Sequence, residues 1–157
     1  MKESDMDRFF YDTSAFVKYF NIEEGSNIVF NLIDTPENET WITELTTVEF
    51  YSTLYRKFRN RNISEIQLQA AMDGYNEEIA NYNVENITSY TFKQSQNIIL
   101  EYGKEWGLRS LDALQIAAFV IIAEKEWTFV SSDNIACNEV NRMGFKIINP
   151  ITVKHNT

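Results

Sequence analysis

Between Leu111 and Ala123 the sequence reads LDALQIAAFVIIA, in which every side chain except Asp112 and Gln115 is apolar. A helix that is hydrophobic almost all round has no face to offer water, so it must lie inside a layered structure. Asp112 is the difficulty. Burying an ionised carboxylate without a partner is expensive, and the only nearby cation in the sequence is Arg109. Ser110 reads as the helix N-cap. That places Asp112 in the first turn, where the helix dipole favours a negative charge by about 0.3–1 kcal/mol.

The flanking patterns alternate between strand and helix. RFFYD (8–12) is a short aromatic strand followed by a helix through SAFVKYF, and a second helix over 26–34 stops in the polar turn cluster DTPENET. TWIT (40–43) is a weak strand, and long helices run from about Glu44 to Asn60 and from Ser64 to about Asn81. YNVENI (82–87) is a strand candidate, 89–105 an amphipathic helix and 111–125 the buried one. WTFVSS (127–132) is a strand, a helix over 134–143 stops at Gly144, and FKIINP (145–150) closes the pattern. This order predicts an α/β fold of three layers, with a short parallel sheet of about five strands covered by helices on both faces. Right-handed crossovers put the carboxyl ends of all strands on one edge, where ligands of such sheets bind. Residues 8–150 read as a single domain, with 1–7 and 151–157 as tails.

Composition narrows the chemistry. Eleven Phe and eight Tyr in 157 residues supply a large core. No apolar run reaches the roughly 20 residues that span a bilayer, and MKESDMDRFF has no export signal, so a cytoplasmic protein without a membrane partner is expected. Cys137 is the only cysteine and His155 the only histidine. An internal disulfide and a cysteine-based zinc cluster are therefore excluded, and a Ser-His-Asp hydrolase is disfavoured. The net charge of −9 argues against a simple nucleic-acid-binding module, unless acids in the chain hold cations.

Four carboxylates stand out. Asp12 closes the first strand and Asp133 follows WTFVSS, so both point to the functional edge; taken singly, each is better read as a helix N-cap. Asp112 heads the buried helix. Glu49 lies on or beside an inward stripe of Leu45, Val48, Ser52 and Tyr55, with a solvated face as the equal alternative, and Glu44 reads as solvent-facing. Four carboxylates in one pocket cannot all stay ionised without a counter-charge. Mg²⁺ or Mn²⁺ with oxygen ligands is the natural solution, an arrangement suited to metal-assisted attack on phosphodiesters. Arg109 is the first candidate for a phosphate contact and Lys18 a weaker one. RKFRNR (56–61) is the densest basic run, with Phe58 available for stacking, although a solvated helix end that complements the dipole is the better reading. Thr13, Ser14 and Ser132 are candidates to hydrogen-bond ligands or substrate, and serve equally well as caps.

YDTSAFVKYF, LTTVEF, LRSLDALQIAAF and FVSSDNIACNEVNRMGFKIINP together resemble the PIN domain family, in particular the VapC-type toxin ribonucleases. The likeness spans about residues 8–150. It implies a PIN-like α/β/α fold in which Asp12, Glu49, Asp112 and Asp133 form the acidic quartet and Ser132 is the Ser/Thr that precedes the last acid. The resemblance further implies that Asp12 and Asp112 hold Mg²⁺ or Mn²⁺, with Asp133 completing the site. Glu49 would bind a second ion or orient the attacking water. The implied activity is endoribonucleolytic cleavage of RNA leaving a 5′-phosphate, by the toxin of a type II toxin–antitoxin pair. A small antitoxin and a homodimer are the implied partners. Gln115 stands where many such toxins carry His, a difference of packing or of indirect support. The competing readings are an RNA-processing nuclease outside a toxin pair and a non-catalytic PIN-like interaction module. An Asp-nucleophile phosphatase would want a second acid where Ser14 stands. A signalling receiver domain would want paired acids near YDTS and a lysine near IINP.

Overall fold

The computed structural model describes residues 6–153, so His155 and the outer parts of both tails lie outside the described residues. β1 (Arg8–Tyr11) is the middle strand of a five-stranded parallel sheet. β2 (Glu39–Thr43) and β3 (Asn83–Glu85) extend it on one side, β4 (Thr128–Val130) and β5 (Lys146–Ile148) on the other. The chain thus lays down β1, β2 and β3 outward, then returns to place β4 against β1. The order of strands reverses between β1 and β4, and a crevice forms outside the carboxyl ends of strands at such a point.

Alternation along β1 divides the core. Phe9 and Tyr11 face one layer with Phe16, Phe50, Leu54 and Tyr75; Phe10 faces the other with Ile116, Phe119 and Phe129. The first layer is built by α1 (Thr13–Phe20), α2 (Ser26–Ile33), α3 (Glu44–Arg59) and α4 (Glu65–Glu78), the last followed by a 3-10 turn at Ile79–Asn81. The second comprises α5 (Ser89–Trp106), α6 (Ser110–Ile122) and α7 (Asn134–Arg142). The three-layer α/β/α arrangement expected from the sequence is the one found. Among the described residues no helix is long and apolar enough to cross a membrane.

Four local expectations are corrected. The buried helix ends at Ile122 rather than 125, because Ala123 turns to extended backbone. It is also covered less completely than its composition suggests: Ala113–Phe119 are all buried, whereas Leu111 is 48% exposed. Ser110 is not its cap. Arg109 holds the N-cap position, its side chain making no capping hydrogen bond to the helix backbone, and Ser110 is the first helical residue. In α3 the inward stripe is Thr46, Phe50 and Leu54, while Val48 and Tyr55 are exposed. Packing decides this rotation, since the Phe50 ring stacks on Tyr75 of α4 with centroids 4.3 Å apart. Glu49 then flanks the buried stripe, half-buried beside Phe50.

Candidate active site

Asp12 and Asp133 leave the carboxyl ends of the two strands that flank the reversal point, and each caps the helix that follows. Asp12 Oδ1 accepts from the Ala15 N–H at 3.1 Å, and Asp133 Oδ1 from the Ala136 N–H at 2.9 Å. Capping fixes where these carboxylates stand without removing them from solvent's reach at the pocket: both line a cavity of about 420 Å³ together with Glu49, Asp112, Arg56 and Arg109. All four predicted acids therefore meet at one place, from three helix starts and the flank of α3.

Asp12 is the most constrained of them. Its Oδ1 also accepts from Ser14 Oγ at 2.7 Å, and its Oδ2 accepts from Ser131 Oγ. Burial pushes its pKa up to about 6; the hydrogen bonds from Ser131, Ser14 and Ala15 oppose this, and the charge on Asp112 adds to it. Ser131 is fully buried, and its Oγ also accepts the Asp133 N–H at 3.0 Å. One hydroxyl thus ties the first acid to the last. Sequence reasoning had chosen Ser132 instead. Ser132 donates its N–H to Ser14 Oγ at 2.9 Å, bracing Ser14 rather than an acid. The available signal was spacing, because a serine two residues before an aspartate can accept that residue's N–H in a local turn.

Asp112 is the third residue of α6, 21% exposed at the side chain, and its Oδ2 accepts from Arg109 Nε at 2.9 Å. The same guanidinium lies 3.8 Å from Asp133 Oδ2 and is 75% exposed. Arg109 therefore supplies the counter-charge that the head of the buried helix requires. Lys18, by contrast, is not brought to the pocket. It is buried, paired with Glu23 at 2.9 Å and bonded to the Glu24 carbonyl at 2.9 Å, so it has no path to a phosphate there.

Glu49 is held from one side. Its Oε1 accepts from Thr13 Oγ1 at 3.1 Å and from Gln115 Nε2 at 3.0 Å. Gln115, buried in the middle of α6, also donates to Thr46 Oγ1 at 3.0 Å and accepts from Thr43 Oγ1 at 3.0 Å. This explains the second polar residue of the apolar helix. Its amide joins the end of β2 to the starts of α1 and α3, and fixes one oxygen of an acid. Oε2 of Glu49 has no protein hydrogen bond among the described residues.

The donor set is carboxylate and hydroxyl oxygen with neither imidazole nor thiolate, the chemistry of a hard divalent cation. Among the described residues no three acids are gathered into a ready-made cation cage. The two observations are compatible: Asp112 and Asp133 are paired with Arg109, and buried Asp12 has no cation beside it, so the pocket has charge that a cation would neutralise.

The PIN domain family model matches residues 9–137. Solved structures with the same fold include VapC20 of Mycobacterium tuberculosis, described as a sarcin-ricin loop cleaving toxin (15% identity, TM-score 0.65, covering 90% of this chain and 97% of that one). Others are DNA-bound VapBC from Salmonella typhimurium (15% identity, TM-score 0.59, 91% and 98% covered) and a toxin–antitoxin complex from Klebsiella pneumoniae (16% identity, TM-score 0.58, 90% and 96% covered). No curated protein matches the sequence.

Proposed function

Since the chain belongs to the PIN domain family, we propose that it is a Mg²⁺- or Mn²⁺-dependent endoribonuclease and the toxin of a type II toxin–antitoxin pair. The observation that carries this reading is the convergence of Asp12, Glu49, Asp112 and Asp133 on one pocket at the reversal point of the sheet. That VapC20 is a sarcin-ricin loop cleaving toxin supports RNA as the substrate class, and the toxin–antitoxin complexes support a small antitoxin partner. On this reading the catalytic unit is the domain 8–150, acting in the cytoplasm. A second copy of the chain would pack on an apolar face of α5, where Leu100 is 81% exposed.

Asp12, Asp112 and Asp133 would hold the metal, and Glu49 would orient the attacking water or bind a second ion. A bound divalent cation supplies a lowered water pKa and stabilises charge on the phosphate oxygens during in-line displacement. The chain's own contribution is positioning. Ser131 sets Asp12 and Asp133 relative to each other. Gln115 and Thr13 fix one oxygen of Glu49 and leave the other for water. Arg109, mostly exposed at the mouth, pairs with Asp112 and Asp133 in the free protein and is placed to meet a phosphate oxygen of bound RNA.

The non-catalytic reading has one observation in its favour: Asp12 and Asp133 each have a structural task as caps. Glu49 and Asp112 cap nothing and line the pocket nonetheless, which favours the enzyme. Incubating the purified protein with a panel of structured RNAs in Mg²⁺, Mn²⁺ or EDTA tests the proposal. Cleavage in metal and none in EDTA is expected; absence of cleavage of every RNA, with no melting shift on adding either metal, would overturn it.

A further inference from the structure

The basic run at residues 56–61 has a geometry that the sequence alone did not reveal. The chain carries a net charge of −9, yet Arg56, Lys57, Arg59 and Arg61 fall within six positions. Lys57 is committed to Glu23 and does not line the acid pocket. Arg56, Arg59 and Arg61 make no ion pair among the described residues, and all three are exposed.

Helical periodicity sets Glu49, Ser52, Arg56 and Arg59 on one face of α3, at spacings of three and four residues. This stripe is about 15 Å long at 1.5 Å per residue. At its inner end Arg56 and Glu49 both line the acid pocket. At its outer end Arg59, Arg61 and Phe58 line the next depression, of about 580 Å³. Phe58, 37% exposed, lines the outer depression with Arg59 and Arg61, and Tyr55, 46% exposed, lies one turn before Arg59.

The helix dipole accounts for cations in the last turn of α3, but not for Arg61. Arg61 lies beyond the helix in left-handed backbone, φ 60°, with its N–H donating to the Phe58 carbonyl at 2.9 Å. Gly or Asn suits that conformation better than arginine. Nothing in the local fold asks for a guanidinium there.

We infer that Arg56, Arg59 and Arg61, with the exposed rings of Tyr55 and Phe58 on the same stretch of chain, form the track along which a single-stranded RNA backbone leaves the acid pocket. The inference rests on the nuclease reading above and extends it to how the substrate is held. Arginines neutralise phosphates and aromatic faces stack bases without regard to sequence. An acidic protein segment would use the charges but not the rings, and would gain nothing from continuity with Glu49.

The test uses the non-cleaving Asp112→Asn chain and a fluorescein-labelled single-stranded oligoribonucleotide in Mg²⁺, with affinity read by anisotropy over about 50–200 mM KCl. Adding Arg59→Gln and Arg61→Asn, the latter chosen because Asn tolerates the left-handed backbone, should weaken binding roughly 5–10-fold. It should also reduce the slope of log K against log salt by about 1.4, the value for two single-strand phosphate contacts. Lys57→Gln should leave the slope unchanged. RNA binding with the same affinity and slope in the double variant would overturn the track while leaving the nuclease reading intact. An equal loss from Lys57→Gln would overturn it in favour of unspecific charge. Failure of Asp112→Asn to bind RNA at all, together with absence of cleavage by the wild type, would remove the nuclease reading and the track with it. Binding of a polyglutamate peptide that the double variant loses, with RNA binding unaffected, would reassign the patch to a protein partner.

Discussion

Gln115 Nε2 stands 3.0 Å from Glu49 Oε1, joining the buried amide in the middle of α6 to an acid on α3. Because the same amide also bonds Thr13, Thr43 and Thr46, its position is set by four partners and not by Glu49 alone. Gln115→Met keeps the length of the side chain and removes every hydrogen bond. Loss of support of this kind behind a functional acid typically lowers activity by about 10–100-fold. The fall should appear in kcat with KM for RNA nearly unchanged, since on the proposed reading Glu49 orients the attacking water or binds a second ion rather than gripping substrate. Gln115→Glu, which sets a second carboxylate against Glu49, should be the more damaging. A fall confined to KM would contradict the role assigned to Gln115.

Asp12 predicts an unusual pH dependence. Its pKa is raised by burial from the ordinary 3.8 to about 6, so the folded chain holds its proton more tightly than the unfolded one. Its contribution to stability is therefore fully present below pH 3.8 and is lost as pH rises through about 6. Above that range the metal-free protein carries a deficit on the order of 2–3 kcal/mol. Asp12→Asn preserves the cap and cannot ionise. In EDTA, the variant should melt above the wild type at pH 7.5 and level with it near pH 4. Mg²⁺ should raise the wild-type melting temperature and leave the variant's unchanged. A variant no more stable than wild type at pH 7.5 would contradict the assignment.

Ser131 and Ser132 are neighbours with different tasks, and alanine separates them. Ser131→Ala leaves a buried carboxylate oxygen of Asp12 and the Asp133 N–H without their shared partner. That should cost about 1–3 kcal/mol in chemical denaturation and impair activity. The Ser132 side chain has one long contact, 3.5 Å to the Ser14 carbonyl, and Ser132→Ala should cost less than about 0.5 kcal/mol. Equal losses at both positions would show that the hydroxyl of Ser131 does not organise the pocket.

What was legible in the sequence, and what was not, follows from how far each contact reaches along the chain. Asp12, Asp112 and Asp133 are readable because strand ends and helix starts are local events, and an α/β order puts them on one edge. The five strands are readable for the same reason; the structure shortens four of them and extends β2 by one residue, to Glu39. The stripe of α3 was misjudged because Val48 and Tyr55 are apolar and exposed, while Thr46 is polar and buried. Rings on other helices, Tyr75 on α4 and Phe16 and Phe20 on α1, decide which way Phe50 turns. Ser131 and Asp12 meet across 119 positions, and Gln115 meets Glu49 across 66, so neither contact leaves a local pattern. Lys18 was misplaced by a nearer partner, since Glu23 follows five residues later and the turn between them closes the pair.

Asp112 is where the account is most exposed to test, because it heads the buried helix, caps nothing, and is paired with Arg109 three residues before it. The decisive measurement is RNA cleavage by wild type and Asp112→Asn as a function of Mn²⁺ concentration, with both proteins shown folded by their melting curves. The account predicts saturable, Mn²⁺-dependent cleavage by the wild type, with the variant slower by a factor of 100 or more, on the order expected for loss of a group that stabilises the transition state. Cleavage by the folded variant at the wild-type rate, with the same dependence on Mn²⁺, would contradict it.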